Sequence, residues 1–577
     1  MSKMGVWIAS LALAVWVMAL APRGFFSGDS GVKLVQAHGL WMSGFASRAL
    51  PYDHDVDPQE RWFPYQRHDF TRVVDGERQG TYSIVFCGLV AVLVALFGLA
   101  ALPVPALLGA WLMLWGMARA GVRSGLSPGL VLAATAFAAL ATPVLFYASQ
   151  LAEHTLAAGL AVVAYALIAP VKREPGAADP TVDTIQIWPA AAGVLAALAA
   201  TLRPEGYCMV AALGLAVALL PGLAMGMRVR HGLAYLAGCV PVLAGYWLLN
   251  LASTGTWDPL VGANTGARKA ASSFFTMVFF WGELPRSARP LSWLAVAVLP
   301  ALAGIVAALA AARAARRAAR RDAGGTRVRW RVSVHAVVGL VVAIVAVRAQ
   351  GLATGRVLAG LFCVTPLLAY GLLAGPSQPR ARAPWLVAVL FLMQLAVLPS
   401  GGNAGGLQLG ARLLMPALPF LCLLAAMVIE DDLGLGLARL DRGWRRALAW
   451  VAPLALAAAS VLGLARGLPQ ATTIARQGEE TARNAAAVPA DVIIARRGWE
   501  SQLAAPVLLA GKTLYEAPGD LRPLLEALYA RGKRSVAVID RKPVALRLSG
   551  GRTARSAGTT AGWLPFQHVV IEEPRRP

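Results

Sequence analysis

The stretch 81–101, TYSIVFCGLVAVLVALFGLAA, carries no charged side chain. At ~1.5 Å of helix rise per residue it is long enough to cross a ~30 Å hydrocarbon layer. Whether it crosses decides the sidedness of everything around it. Apolar runs of similar kind recur at 5–22, 103–118, 127–146, 152–170, 186–202, 207–226, 232–252, 291–312, 333–348, 352–374, 384–398, 411–430 and 447–466. The chain of 577 residues is 57% hydrophobic and 14% charged, whereas a soluble protein carries roughly 25% charged residues. A soluble enzyme is therefore excluded, and the continuous rather than alternating runs point to a helical bundle instead of a β-barrel.

The basic residues choose the topology. They follow the runs in six short loops, at Arg119 and Arg123, Lys172 and Arg173, Arg228 and Arg230, Arg313 to Arg321, Arg380 and Arg382, and Arg442 to Arg446. If 81–101 crosses, with Lys3 inside, all six loops land outside. If it lies at the outer interface or dips in and returns, all six and the N-terminus become cytoplasmic, as the positive-inside tendency requires. The expectation is thus thirteen spans plus one interfacial helix, with the tail 468–577 outside. The first run, Val6 to Ala21, lacks a small-residue cleavage site and reads as an anchor. The net charge of +23 is then a matter of topology, not of nucleic-acid binding. The five cysteines all lie in or beside apolar runs and offer neither a disulfide framework nor a CxxC site.

Four segments share the outer face in this reading: the long loop 23–80, the loop 253–290, the glycine-rich turn 399–410 and the tail. A long polar loop in an otherwise minimal bundle marks where function sits. In the tail, strand-like runs (491–494, 513–515, 535–539, 568–572) alternate with helical patterns (500–510, 521–531), which predicts a small α/β domain. It shows no phosphate loop and no nucleophile elbow.

Chemistry has four candidate places. Asp29, just after the first span, can take the proton of a hydroxyl nucleophile, or Ser27 or Asp29 can cap a helix starting near Val32. Glu153 and His154 open an otherwise apolar span, where a carboxylate at a helix N-terminus is welcome. In the turn Leu202-Arg203-Pro204-Glu205-Gly206, Arg203 and Glu205 can pair with each other, or the planar fork of Arg203 can meet a phosphate. Arg412 follows a run with five glycines and opens another span; it can snorkel to headgroups or neutralise a phosphate leaving group. Tyr52-Asp53-His54-Asp55-Val56-Asp57 lacks Ca²⁺-loop spacing and reads as a solvated loop. Gly434-Leu435-Gly436 lacks the context of a dinucleotide site.

Taken in order, these clusters resemble the polytopic GT-C glycosyltransferases, the class of polyprenyl- or dolichyl-phosphate-sugar-dependent enzymes that includes mannosyl- and arabinosyltransferases. The match runs from Asp29 behind the first span, through Tyr147-Ala148-Ser149 with Glu153-His154-Thr155 and the Arg203 turn. It ends at Gly410-Ala411-Arg412-Leu413-Leu414-Met415-Pro416-Ala417-Leu418-Pro419, which is similar to the family's Gly-x-Arg-x-Leu-Leu-Pro-x-x-Pro pattern. The family's interfacial helix falls at 81–101. Two places depart: Gly80-Thr81-Tyr82-Ser83 stands where the family has a Pro-Pro motif, and Gly28-Asp29-Ser30 has no second acid beside the aspartate.

The resemblance implies an all-α membrane bundle, 1–467, carrying an extracytoplasmic α/β domain, 468–577, in a bacterial inner membrane. It implies transfer of a sugar, hexosyl or pentosyl, from a polyprenyl-phosphate carrier to a lipid, glycan or protein hydroxyl, with inversion. Asp29 would be the base, Glu153 a second acid, and His154, Arg203, Glu205, Arg268, Lys269 and Arg412 the substrate contacts. No metal ligand set is assigned; a divalent cation is left open. The competing reading is a transporter or flippase of lipid-linked sugars, whose ionisable groups would lie deep in the membrane.

Overall fold

A computed structural model describes residues 2–19, 28–65, 71–169, 184–219, 224–254, 335–344, 346–347, 350, 361–376, 378–397, 412–439 and 443–574. The candidate contacts Arg268 and Lys269, the glycine run before Arg412 and the arginine run 313–321 lie outside the described residues. The rest falls into two compact units. The first takes Met1–Ala19, Ala106–Tyr246 and Asn264–Gln470; the second takes Leu20–Pro105, Trp247–Ala263 and Ala471–Pro577.

The first unit is helical. Its elements are α1 (Ser2–Ala19), most of α4 (Val104–Arg123), α5 (Pro128–Leu140), the short α6 (Val144–Tyr147), α7 (His154–Ile168), α8 (Thr184–Leu202), α9 (Glu205–Ala218) and the greater part of α10 (Met225–Thr254). After these come α11 (His335–Ile344), α12 (Leu361–Val364), α13 (Pro366–Ala374), α14 (Pro379–Val397), a 3₁₀ turn Arg412–Ala417 and α15 (Leu418–Arg439). Small residues let these helices approach closely, as in membrane bundles. A Cβ on Gly109 of α4 would stand 2.2 Å from the backbone nitrogen of Leu156 in α7. Beside it, the Thr155 hydroxyl donates to the Ala106 carbonyl at 2.9 Å.

Among the described residues, four helical stretches are long and apolar enough to span a membrane: Ile84–Ala101, Met225–Ser253, Arg412–Leu433 and Trp450–Ala487. The first has a mean hydropathy of 2.8, so length and composition alone would call it a span. It belongs, however, to the second unit, as α3 (Ile84–Phe97) and the 3₁₀ turn Gly98–Ala101. The last belongs to α16 (Gly443–Ala487), whose 45 residues run to about 68 Å at ~1.5 Å each. No break falls at 467, where the sequence suggests a domain boundary; the helix runs on, and the second unit begins inside it at Ala471.

The core of the second unit joins two distant parts of the sequence. From the N-terminal side come α2 (Gly28–Met42), the hairpin β1 (Thr71–Val74) and β2 (Glu77–Gly80), and α3. From the tail come β3 (Val492–Ala495), α17 (Gly498–Ala504), a 3₁₀ turn Ala505–Ala510, β4 (Thr513–Glu516), α18 (Arg522–Ala530), β5 (Ser535–Ile539), β6 (Ala545–Arg547), β7 (Thr553–Thr559) and β8 (Phe566–Glu572). The sheet order is β4-β3-β5-β8-β7-β6, parallel across β4, β3 and β5 and antiparallel thereafter. The predicted strands and both helical patterns appear as read. The short β6 and the longer but polar β7, with Arg547, Arg555 and Gly558 among few apolar residues, carry too little alternation to be seen in advance.

Side chains two apart face the same side of this sheet, so its two faces have different partners. Ile494 and Val538 pack with Leu524, Leu525 and Leu528 of α18. Ile493, Ala537 and Ile539 pack with Val32 and Val35 of α2 and with Leu50, Phe63 and Tyr65 of the first loop. The loop thus supplies the layer that the tail lacks. The stretch 52–57, expected as a solvated loop, is instead part of this joint: Asp57 is buried and accepts from the Tyr52 hydroxyl at 2.5 Å and the Trp62 amide at 2.8 Å. The Tyr515 hydroxyl of β4 donates to Asp53 at 3.0 Å.

Candidate functional site

In the first unit the turn between α8 and α9 meets the start of α7. Pro204 ends one helix and opens the next, and Gly206 is needed for the tight reversal, since a Cβ there would sit 2.4 Å from the Cα of Ala200. This holds Arg203 so that its Nη1 donates to Glu153 Oε1 at 2.8 Å. Its Nε and Nη2 donate to the two oxygens of Glu205 at 2.9 and 2.7 Å. The turn-internal pair is therefore made, and a second carboxylate from fifty positions earlier joins it. Glu153 is only 2% exposed.

Around this cluster the sequence-expected groups gather. His154 is buried with its ring 6.5 Å from that of Tyr147, and Ser149, Gln150 and Thr155 are buried beside them in sequence. The 3₁₀ turn that starts at Arg412 packs on α7 and α9, and Arg412 itself is 5% exposed. Pro416, which lacks an amide hydrogen, lies inside that turn. Glu153, His154, Arg203, Glu205 and the Arg412 turn thus share one end of the first unit.

Asp29 belongs to the second unit. The helix expected near Val32 begins at Gly28, and Asp29 lies in its first turn, partly exposed. Two contacts fix α2. A Cβ on Gly31 would be 1.8 Å from the Gln502 carbonyl oxygen of α17, so only glycine lets the tail backbone approach there. On the other side Lys33, 1% exposed, sets its ammonium 4.8 Å from the Tyr82 ring centre and 5.8 Å from that of Phe86, and the Gln36 amide donates to the Tyr82 carbonyl at 2.9 Å. Lys33 was not singled out by the sequence; its signal is a cation set in an apolar helix face.

The opposite end of the first unit holds a second ionic network. Arg380 at the start of α14 meets Glu430 and Asp431 of α15, each at 2.8 Å, and donates to the Gly125 carbonyl at 3.0 Å. Arg123 at the end of α4 donates to the Ala169 carbonyl at 3.3 Å. His335 Nδ1 lies 2.6 Å from Asp432, which also accepts from the Tyr370 hydroxyl at 3.2 Å. The loop arginines Arg123 and Arg380 thus collect away from the Arg203 cluster. Among the described residues no group of three or more His, Cys, Asp or Glu side chains gathers as a metal site.

No family model matches the sequence, and no curated protein matches it. Solved structures do. A crystal structure of ArnT from Cupriavidus metallidurans bound to undecaprenyl phosphate matches with a TM-score of 0.50 at 12% identity, over 98% of this chain and 97% of that one. The oligosaccharyltransferase of Archaeoglobus fulgidus in complex with Zn and sulfate matches with a TM-score of 0.50 at 12% identity, over 93% of this chain and 68% of that one. At such low identity the likeness speaks for architecture alone, and it covers almost the whole length of this chain, which shares the fold of these two structures.

Proposed function

We propose that the chain is an integral-membrane glycosyltransferase that moves one sugar from a polyprenyl-phosphate carrier to a hydroxyl acceptor on the outer face of the inner membrane. The observation that carries the reading is the grouping of Glu153, Arg203, Glu205 and the Arg412 turn at one end of a GT-C bundle, with the loop arginines at the other end. By the positive-inside tendency the arginine end is cytoplasmic and the Arg412 end faces out. The joint core of the first loop and the tail supports putting both on one side, which requires an odd number of spans and an interfacial α3. Support for the donor class comes from the relative solved with undecaprenyl phosphate.

In this mechanism the acceptor hydroxyl attacks the anomeric carbon in line, the bond from that carbon to the phosphate oxygen breaks, and the configuration inverts. Asp29 takes the hydroxyl proton. The departing polyprenyl phosphate gains negative charge, and Arg412 offers it a planar fork of donors; Arg268 and Lys269 are further phosphate contacts. Arg203 already spends three N–H groups on carboxylates, so its role is to hold the side chains of Glu153 and Glu205 in position, with His154 alongside toward the sugar. No step is routed through a metal.

The test is Asp29→Asn, assayed with polyprenyl-phosphate-linked labelled sugars against cell-envelope acceptors. Loss of one positioned base costs ~10² to 10⁴ in rate, so turnover should fall by that factor with unchanged melting temperature. Full turnover in a normally folded Asp29→Asn protein removes the assignment.

A further inference from the structure

The second unit contains a cavity of about 640 Å³ that the transfer reaction does not use. Its floor is apolar: Leu34 and Ala37 of α2, Ala91 and Val94 of α3, Pro506 and Leu509 of the tail. Its rim is apolar and exposed, with Trp41 at 46% and Met42 at 69%. The outward side of α3 continues that rim through Leu96 and Phe97, which are 65% and 67% exposed. A contiguous exposed apolar surface of this kind belongs against a partner or a membrane, and the hydropathy of α3 selects the membrane. The cavity therefore opens towards acyl chains and not towards water.

Wall chemistry narrows the occupant. The cavity's apolar lining suits a membrane acyl chain. Its polar wall residues are Glu479 and Arg483, one helical turn apart on α16, with His38 of α2. Burial lowers the pKa of His38, leaving a wall with one positive and one negative group. A phosphate beside an ammonium matches it; a headgroup with phosphate alone leaves Glu479 unmatched.

We propose that this cavity is a lipid site that seats one acyl chain of an aminophospholipid from the surrounding membrane, its phosphate at Arg483 and its ammonium at Glu479. The occupied site would hold α2, α3 and the tail together at the membrane surface, since these three line it.

The test uses the full-length protein in nanodiscs with a phosphatidylethanolamine carrying a photoreactive diazirine near the end of one acyl chain, followed by peptide mapping. Labelling is expected on α2 and on residues 505–510, a segment of the tail. The substitutions Ala95→Trp and Ala510→Trp fill the cavity from exposed positions and should cut that labelling at least ten-fold without lowering the melting temperature. Should either filled variant fold poorly, competition decides. Unlabelled phosphatidylethanolamine should displace the probe, with phosphatidylglycerol several-fold weaker, and Glu479→Gln should erase that preference. Absence of label on 505–510, equal displacement by phosphatidylglycerol, or displacement by polyprenyl phosphate in preference to either phospholipid would each overturn the proposal.

Discussion

Arg203 and Arg380 look alike and teach different things. Each is a guanidinium at a helix end with two carboxylates within 2.8 Å, and both lie in the first unit. Arg380 takes its carboxylates from neighbouring positions of one helix and adds a backbone carbonyl; the result ties α14, α15 and the α4–α5 turn together. Arg203 takes one carboxylate from its own turn and one from α7, and the cluster stands beside the Arg412 turn, His154 and Tyr147. A doubly paired arginine is therefore not in itself a site. What surrounds the pair makes the difference, and the two networks serve as controls for each other.

The sharpest way to separate them is to remove each guanidinium. Breaking a buried ion pair from one side costs ~3 to 5 kcal/mol because the remaining charge stays buried. Arg203→Leu takes the guanidinium from Glu153, and Arg380→Leu takes it from Asp431, whose side chain is 0% exposed; both should lower stability in chemical denaturation by up to that much. Only Arg203→Leu should also lower turnover per folded molecule. If Arg380→Leu reduces single-turnover transfer as strongly, the distinction between the two ends fails.

A smaller effect tests how the two units differ in tolerance. Gly31→Val must push against the Gln502 carbonyl, and overpacking of this kind costs ~1 to 3 kcal/mol. Gly129→Ala in the first unit meets nothing within 4 Å and should stay within about 0.5 kcal/mol of the parent. Limited proteolysis of the tail should be faster only in Gly31→Val; equal rates in both variants would show that α2 is not seated on the tail.

The smallest expected effect is a pH dependence confined to the second unit. Burial lowers the pKa of His38 below its ordinary 6.5, so between the two values the unfolded chain binds more protons than the folded one. The stabilising contribution is complete above 6.5 and is lost as pH falls below it towards the folded value. His38→Gln should flatten that part of the stability curve, measured by hydrogen exchange of α2 amides. An unchanged slope would remove His38 as its source.

The length and spacing of apolar runs, the sheet strands with strong alternation and the order of charged motifs were all legible in the chain, because each depends on neighbours a few residues apart. The Arg203–Glu205 pair was legible for the same reason. Glu153 as its third member was not, nor were Lys33 on its two rings, the burial of Asp57 or the use of the first loop as a layer of the tail's sheet. Apart from the bonds of Asp57 to Tyr52 and Trp62, these join residues from tens to more than four hundred positions apart.

The sequence by itself determined a helical membrane bundle with an α/β tail, since hydrophobic length and period are local properties of the chain. Only tertiary structure decided that the most apolar stretch, 81–101, packs with α2 in the same unit as the tail. Composition measures how well a helix tolerates lipid; which of its faces packs on protein depends on surfaces such as those of Val32, Lys33 and Val507, which become adjacent only on folding.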